Sequence, residues 1–93
     1  MRVSFKSFGP VKRVVGRSLI ELEVPKGSTV FQVIVSVVEA KGPELERLIM
    51  DHNKISGNLI VLLNRHDIDT LQGPETVVND GDEIALLPHV QGG

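Results

Sequence analysis

The chain has 93 residues, of which 41% are apolar and 24% charged, so it can build one domain around its own core, and a disordered or fibrous protein is excluded. It has no cysteine, which excludes disulfides, thiolate metal sites and cysteine nucleophiles and fits the cytoplasm. The charge of -2, the absence of tryptophan and tyrosine and the lack of an apolar run of about 18 residues predict a soluble, cytoplasmic protein that binds neither nucleic acid nor membrane.

Two segments with alternating polarity begin the chain. In RVSFKSF, residues 2–8, Val3, Phe5 and Ser7 share one face, and in SLIELEV, residues 18–24, the apolar side chains alternate with Glu21 and Glu23. Such alternation is typical of half-buried strands. Because Gly9-Pro10 and Gly16 interrupt the connection, we predict a β-hairpin with a long, bulged loop.

The one basic cluster of the sequence lies in this connection. It consists of Lys12, Arg13 and Arg17 around Gly16. We interpret it as a solvated hairpin turn, and the alternative is that it docks an acidic partner.

The segment TVFQVIVSVVEAKG is rich in valine, which favours strands, but three signals favour a helix. Thr29 and Gln32 have the spacing of a capping box. An apolar stripe recurs at helical spacing, and Lys41-Gly42-Pro43 provides a helix end. The stripe consists of Val30, Ile34, Val37 and Val38. A second short helix is predicted over residues 44–50, followed by a polar loop over residues 51–58.

Residues 59–63, LIVLL, are all apolar and predict a strand at the centre of the sheet. If one helix covers the sheet, either Leu59, Val61 and Leu63 or their neighbours Ile60 and Leu62 lie on the open face. Leu87 joins that face if Ile84 and Leu86 point inward. An exposed apolar patch of this kind indicates an interaction surface, unless loops cover it.

The rest of the chain alternates turns and strands. We predict a turn over residues 64–67, an edge strand over residues 68–71 and another turn over residues 72–76. Asn79-Asp80-Gly81-Asp82 then forms a tight reversal, in which Gly81 can adopt positive φ. The last strand covers residues 83–88, so the chain divides into a folded domain, residues 1–88, and a tail, residues 89–93.

No group of side chains predicts an active site. His52, His66 and His89 lack metal-ligand spacing, and no glycine-flanked serine marks a nucleophile. The acidic residues near Asp67 and Gly81 are typical of turns. We therefore expect no metal, no bound cofactor and no catalysis by the chain alone.

The sequence ends in LPHVQGG, with Gly92 and Gly93 separated by His89, Val90 and Gln91 from a strand that stops at Pro88. Glycine has no Cβ, so an extended diglycine tail fits a channel that no side chain could enter. A terminal carboxylate is ionised at neutral pH and is a poor electrophile until it is activated. A partner that adenylates it with ATP would allow sulfide or a lysine amine to attack. The alternative is that the tail is only a flexible end or the scar of a truncation.

The whole chain resembles the sulfur-carrier branch of the ubiquitin-like β-grasp proteins. This branch includes the molybdopterin synthase small subunit, the thiamine sulfur carrier, the ubiquitin-related modifier and the small archaeal modifiers. The resemblance is carried by TVFQVI, by VLLN ending at Asn64, by DGDEIALLP from Asp80 to Pro88 and by the terminal VQGG. It implies an α+β fold, with a mixed four- to five-stranded sheet packed on one main helix.

The resemblance also implies a function. Gly93 would be adenylated by a ubiquitin-activating-type enzyme and converted to a thiocarboxylate with a sulfur-donor enzyme, while Gly92 keeps the tail slim for insertion into the large subunit of molybdopterin synthase. Partner docking is expected at Leu87 and Pro88, with an extension over Ile60, Val61 and Leu63. The alternatives are a modifier joined through Gly93 to lysines of target proteins, with tRNA thiolation as a further role, and a non-covalent interaction domain.

The sequence departs from the family in three places. His89 stands where many relatives have a second proline. Residues 8–12, FGPVK, replace the more helical segment of molybdopterin synthase small subunits, and residues 43–58 contain a surplus relative to thiamine carriers.

Overall fold

The computed structural model describes residues 1–88, so the predictions for His89, Gly92 and Gly93 lie outside the described residues. Within these 88 residues, seven strands, three α-helices and two short 3₁₀ helices follow one another. In order they are β1 (Arg2–Ser7), α1 (Gly9–Val15), β2 (Leu19–Glu23), α2 (Val30–Lys41), α3 (Pro43–Ile49), β3 (Met50–Asp51), β4 (Lys54–Ile55), β5 (Leu59–Leu63), β6 (His66–Asp67), the 3₁₀ helices Ile68–Thr70 and Gly73–Glu75, and β7 (Glu83–Pro88).

The main sheet has five strands in the order β2-β1-β7-β5-β6. β1 and β7 are parallel, and the other neighbours are antiparallel. This mixed sheet with its helices confirms the predicted α+β class. The central position predicted for β5 is wrong, because β7 lies in the middle and β5 has only the two-residue β6 beyond it.

The connection between β1 and β2 is a helix, so the predicted bulged hairpin loop is wrong, although the two strands do pair in antiparallel fashion. α1 has proline in its first turn and buries Val11 and Val15, which are four residues apart and therefore lie on one face. Gly16, with φ of 99°, ends the helix and donates its N–H to the carbonyl of Lys12 at 2.8 Å. The glycine and proline that suggested a loop are the start and stop signals of a short helix.

α2 confirms the predicted helix and its capping box. The Gln32 N–H donates to Thr29 Oγ1 at 3.2 Å, and the Thr29 N–H donates to Gln32 Oε1 at 2.9 Å. Two N–H groups that the helix itself cannot satisfy thus find partners. The predicted apolar stripe is buried and packs against the inner face of the sheet, together with Val33.

The predicted polar loop at residues 51–58 and the predicted edge strand at residues 68–71 are both wrong. Residues 51–58 contain one arm of the β3–β4 hairpin, whose turn residues His52 and Asn53 are left-handed, with φ of 50° and 64°. The predicted edge strand at 68–71 is instead a 3₁₀ helix. Asp67 causes this, because its side chain accepts the Asp69 N–H at 2.8 Å and so favours a helical turn. The edge strand, β6, ends at Asp67.

Candidate functional site

β7 carries the chain from the middle of the sheet to Pro88, the last described residue. It pairs with β1 on one side and β5 on the other, so its backbone is fixed by two ladders. Pro88 is exposed and lies opposite Leu59 at the beginning of β5. Any segment after Pro88 therefore starts from a rigid base, which is what a tail directed at another protein requires.

The start of β7 is held by a polar cluster around Asn64. The Asn64 amide donates to Asp82 Oδ1 and accepts the Glu83 N–H, both at 2.9 Å. Asp82 also accepts the Asn79 N–H at 2.7 Å. Gly81, with φ of 86°, confirms the predicted reversal, and its N–H donates to the carbonyl of Arg2 at 2.8 Å. These bonds fix the register of β7, and hence the position of Pro88 at its other end.

One face of the sheet is covered by the helices, and the other is open. On the open face Ile60 lies opposite Leu87, and Leu62 lies opposite Ala85. The three larger side chains are half-buried, although they lie on the side of the sheet away from α2. Phe8 has extended backbone, so the parallel register of Ser7 with Leu86, continued by one residue, places it beside Leu87. We call Phe8, Ile60, Leu62 and Leu87 the apolar patch.

The structure decides which face of β5 is open. Val61 and Leu63, which were expected to extend the docking surface, are 5% and 7% exposed and belong to the core. Their inclusion in the docking surface is wrong, because alternation along the strand points them toward the helices. Ile60 and Leu87 lie on the open face, and Pro88 is exposed beside it; their docking role stays a prediction.

The docking residues predicted from the sequence did not include Phe8, and they included Leu62 only as one alternative for the open face. Leu62 shares the face of Ile60 by simple alternation, and Phe8 shares the face of Ser4 and Lys6. Alternation alone could have found both once one buried residue of each strand was known. Lys6 Nζ lies 5.5 Å from the centre of the Phe8 ring, so a cation accompanies the aromatic side chain at this edge of the patch.

Among residues 1–88, no group of three or more His, Cys, Asp or Glu side chains is arranged to hold a metal ion. Within the same residues, no helix combines the length and the apolar character needed to cross a bilayer.

Comparison with known families and proteins places this geometry among relatives. The ThiS family model matches residues 6–93. A protein described as a putative sulfur carrier from Archaeoglobus fulgidus is 30% identical over 74 residues, which cover 80% of this chain and 83% of the relative. Small archaeal modifier protein 3 of Haloferax volcanii is 29% identical over 93 residues and is matched along the full length of both chains.

Solved structures share the fold. SAMP1 from Haloferax volcanii superposes with a TM-score of 0.86 at 26% identity over the whole of both chains. A structure of the Amycolatopsis orientalis BexX/CysO complex contains a chain that superposes with a TM-score of 0.76 at 25% identity, covering 98% of this chain and 99% of that one. The β-grasp arrangement is therefore that of small ubiquitin-like carriers and modifiers.

Proposed function

The chain belongs to the ThiS family, and from this premise we propose that it is a sulfur carrier. In a chain whose last residue is Gly93, the carboxylate of Gly93 is the group that a partner enzyme activates. The observation that carries the proposal is the family match, which extends through the diglycine to residue 93. The likeness over 80% of the chain to a protein described as a putative sulfur carrier also supports it.

The proposed chemistry takes place in two steps on the partner. The carboxylate attacks the α-phosphorus of ATP, pyrophosphate leaves, and an acyl adenylate forms. A hydrosulfide equivalent then attacks the acyl carbon, AMP leaves with the shared oxygen, and one proton is released as the thiocarboxylate forms. The domain supplies the electrophile and its placement, so it is not a catalyst by itself.

The folded body would act as the docking element. The apolar patch lies at the end of the sheet where β7 reaches Pro88, because Ile60 and Leu87 form the next pair to Leu59 and Pro88 in the ladder. An apolar surface next to the inserted segment suits an interface with an apolar centre and polar edges. We propose that Ile60, Leu62 and Leu87 contact the activating enzyme while Gly92 and Gly93 enter its channel.

A second candidate is a protein modifier joined through Gly93 to lysine amines. It is favoured by the full-length match to small archaeal modifier protein 3. Activation is common to both candidates, and they differ only in whether sulfide or an amine displaces AMP. Service as the small subunit of molybdopterin synthase, with delivery of sulfur to its large subunit, stays a prediction.

The test is the intact mass of the chain after incubation with ATP, the activating enzyme and a sulfide donor. A sulfur carrier gains the mass difference between sulfur and oxygen, and a modifier gains the mass of a target when lysine-containing proteins are added. An unchanged mass in both reactions would contradict the proposal.

Variants localise the reaction to the tail. Deletion of Gly93 or the change Gly92→Val should abolish the mass gain with circular dichroism unchanged. Gly57→Val is the matched control, since Gly57 has ordinary φ and open space around it and lies outside the tail. A chain extended beyond residue 93 that gains sulfur as fast as the natural one would also contradict the proposal.

A further inference from the structure

The segment from residue 6 to residue 17, KSFGPVKRVVGR, has four cationic side chains and no acidic one, in a chain whose formal charge is -2. The four are Lys6, Lys12, Arg13 and Arg17, and we call them the basic surface. The structure places two of them on α1, where the sequence had suggested a loop. Three are exposed and Lys6 is half-buried on the open face of the sheet.

The fold places the basic surface at the end of the molecule from which the tail leaves. β1 runs parallel to β7, with Ser7 paired to Leu86, so α1 begins at the end of the sheet where Pro88 lies. α1 also packs against β7. Because Val11 and Val15 fix the buried face of α1, Lys12 and Arg13 point away from the core. Lys6 lies opposite Ala85, about 10 Å along the sheet from Pro88 at a strand rise of about 3.3 Å per residue.

These cations form no ion pairs within residues 1–88, although Lys6 lies over the Phe8 ring. No carboxylate of residues 1–88 lies within ion-pair distance of them, and the described ion pairs involve Glu23 and Asp51. α3 packs against α1 and carries Glu44 and Glu46, but neither forms an ion pair with α1. Lys12 and Arg13 lie in the last turn of α1, where the helix dipole favours cations. That effect explains neither Lys6 nor Arg17.

The opposite end of the sheet carries both signs of charge. Asp80, Asp82 and Glu83 surround the start of β7, and Arg2, Lys26 and Arg65 lie at the same end, since Arg2 begins β1 and the other two follow the ends of β2 and β5. Segment 6–17, at the end where the chain reaches Pro88, instead carries positive charge alone. A charge distribution of this kind orients a molecule as it approaches a charged partner.

We propose that the basic surface docks against an acidic protein surface around the opening of the channel that receives the tail, a proposal that rests on the proposed function. The partner is a protein because the cations continue directly into the apolar patch through Lys6 and Phe8. Interfaces between proteins combine an apolar centre with a polar rim in this way. Charge reversal at the rim acts mainly on the rate of association and on its salt dependence.

The test compares two charge-reversed variants with the same change in net charge. Lys12→Glu with Arg13→Glu alters the basic surface. Lys26→Glu with Arg65→Glu is the matched control: both residues are exposed, and they follow the far ends of β2 and β5, which run antiparallel to β1 and β7. The measurement is the association rate with the adenylating enzyme by stopped-flow fluorescence, from low salt to about 1 M, where the Debye length is about 3 Å.

At low salt we expect the basic-surface variant to associate about tenfold more slowly than the natural chain, within the range typical of electrostatic steering. The association rate of the control variant should decrease much less, and near 1 M salt the two variants should associate at the same rate. Equal slowing of both variants would overturn the proposal, because it would reflect net charge alone. If the basic-surface variant is not folded by circular dichroism, Lys12→Gln with Arg13→Gln is measured in its place, and an unchanged rate would overturn the proposal.

Two further measurements separate the possible failures. Pyrophosphate exchange with the natural chain tests the proposed function first; no exchange removes both proposals, whereas exchange with equal slowing of the two variants removes only this one. A single-stranded oligouridine is the probe for a nucleic-acid partner. The proposal is overturned if the natural chain has a higher affinity for the oligouridine than for the adenylating enzyme and if Lys12→Glu with Arg13→Glu abolishes oligouridine binding. The basic surface would then be a nucleic-acid binding site.

Discussion

Leu86 and Leu87 are neighbours on β7 and are expected to respond in opposite ways to the same substitution. Leu86 is fully buried in the core, whereas Leu87 is half-buried on the open face opposite Ile60. Replacing a buried leucine by alanine costs about 2.7–5 kcal/mol. For Leu86→Ala we take about 3 kcal/mol, which lowers Tm by about 12–24 °C in a domain of this size. Leu87→Ala leaves no internal cavity, and we expect a cost of about 1 kcal/mol or less.

Binding should show the reverse order. The minority of interface residues that contribute more than about 1 kcal/mol cluster near the centre of the interface, where we place Leu87. Leu87→Ala should therefore weaken binding to the adenylating enzyme by about tenfold, or about 1.4 kcal/mol. Leu86→Ala, measured well below its Tm, should retain nearly full affinity. Stability is read from urea or thermal unfolding and affinity from titration calorimetry. Equal destabilisation by the two substitutions, or a stronger loss of affinity with Leu86→Ala, would refute the assignment of the two faces.

Three other substitutions test how the fold holds its elements. Asn64→Gly keeps the left-handed backbone at φ of 51° but removes two hydrogen bonds, so it should lower the free energy of unfolding in urea by about 1–2 kcal/mol. Asn64→Ala also strains the backbone and should lower it by about 2–3 kcal/mol. A larger loss for the glycine variant than for the alanine variant would contradict the strain. Thr29→Ala should cost about 1 kcal/mol through loss of the N-cap, and a Tm equal to that of the natural chain would mean that the capping box contributes nothing. At Gly81 there is open space for a Cβ atom, but φ is 86°, so Gly81→Ala should cost about 1–2 kcal/mol of stability from backbone strain alone. An unchanged Tm in a thermal melt would disprove this.

Some features of the fold follow from short stretches of sequence. The capping box needs only Thr29 and Gln32, the apolar stripe of α2 needs only its own spacing, and Gly81 supplies positive φ whatever surrounds it. The alternation of β1 and β2 likewise assigns Val3 and Phe5 to the core. Each of these features depends on neighbours within about one or two helical turns or strand repeats, so the sequence contains the whole cause.

Other predictions were wrong because the features concerned depend on contacts between distant parts of the chain. LIVLL is apolar on both faces because one face meets the core and the other forms part of the apolar patch, and this composition looks the same as that of a central strand. Gly9-Pro10 and Gly16 look like loop signals until Val11 and Val15 find a core to pack against. A seven-residue helix is too short to be stable by itself, so tertiary packing had to decide it.

The sequence by itself determined the class of the fold, the helix and its cap, the last strand and the two glycines on which the proposed chemistry depends. Only the tertiary structure decided that β7 lies between β1 and β5, that Ile60 and Leu62 rather than Val61 and Leu63 face outward, and that α1 lies at the end where the chain reaches Pro88. The reason is physical. Which strand is central, which face is covered and which ends coincide depend on pairing between segments far apart in the chain, and no local pattern specifies that pairing.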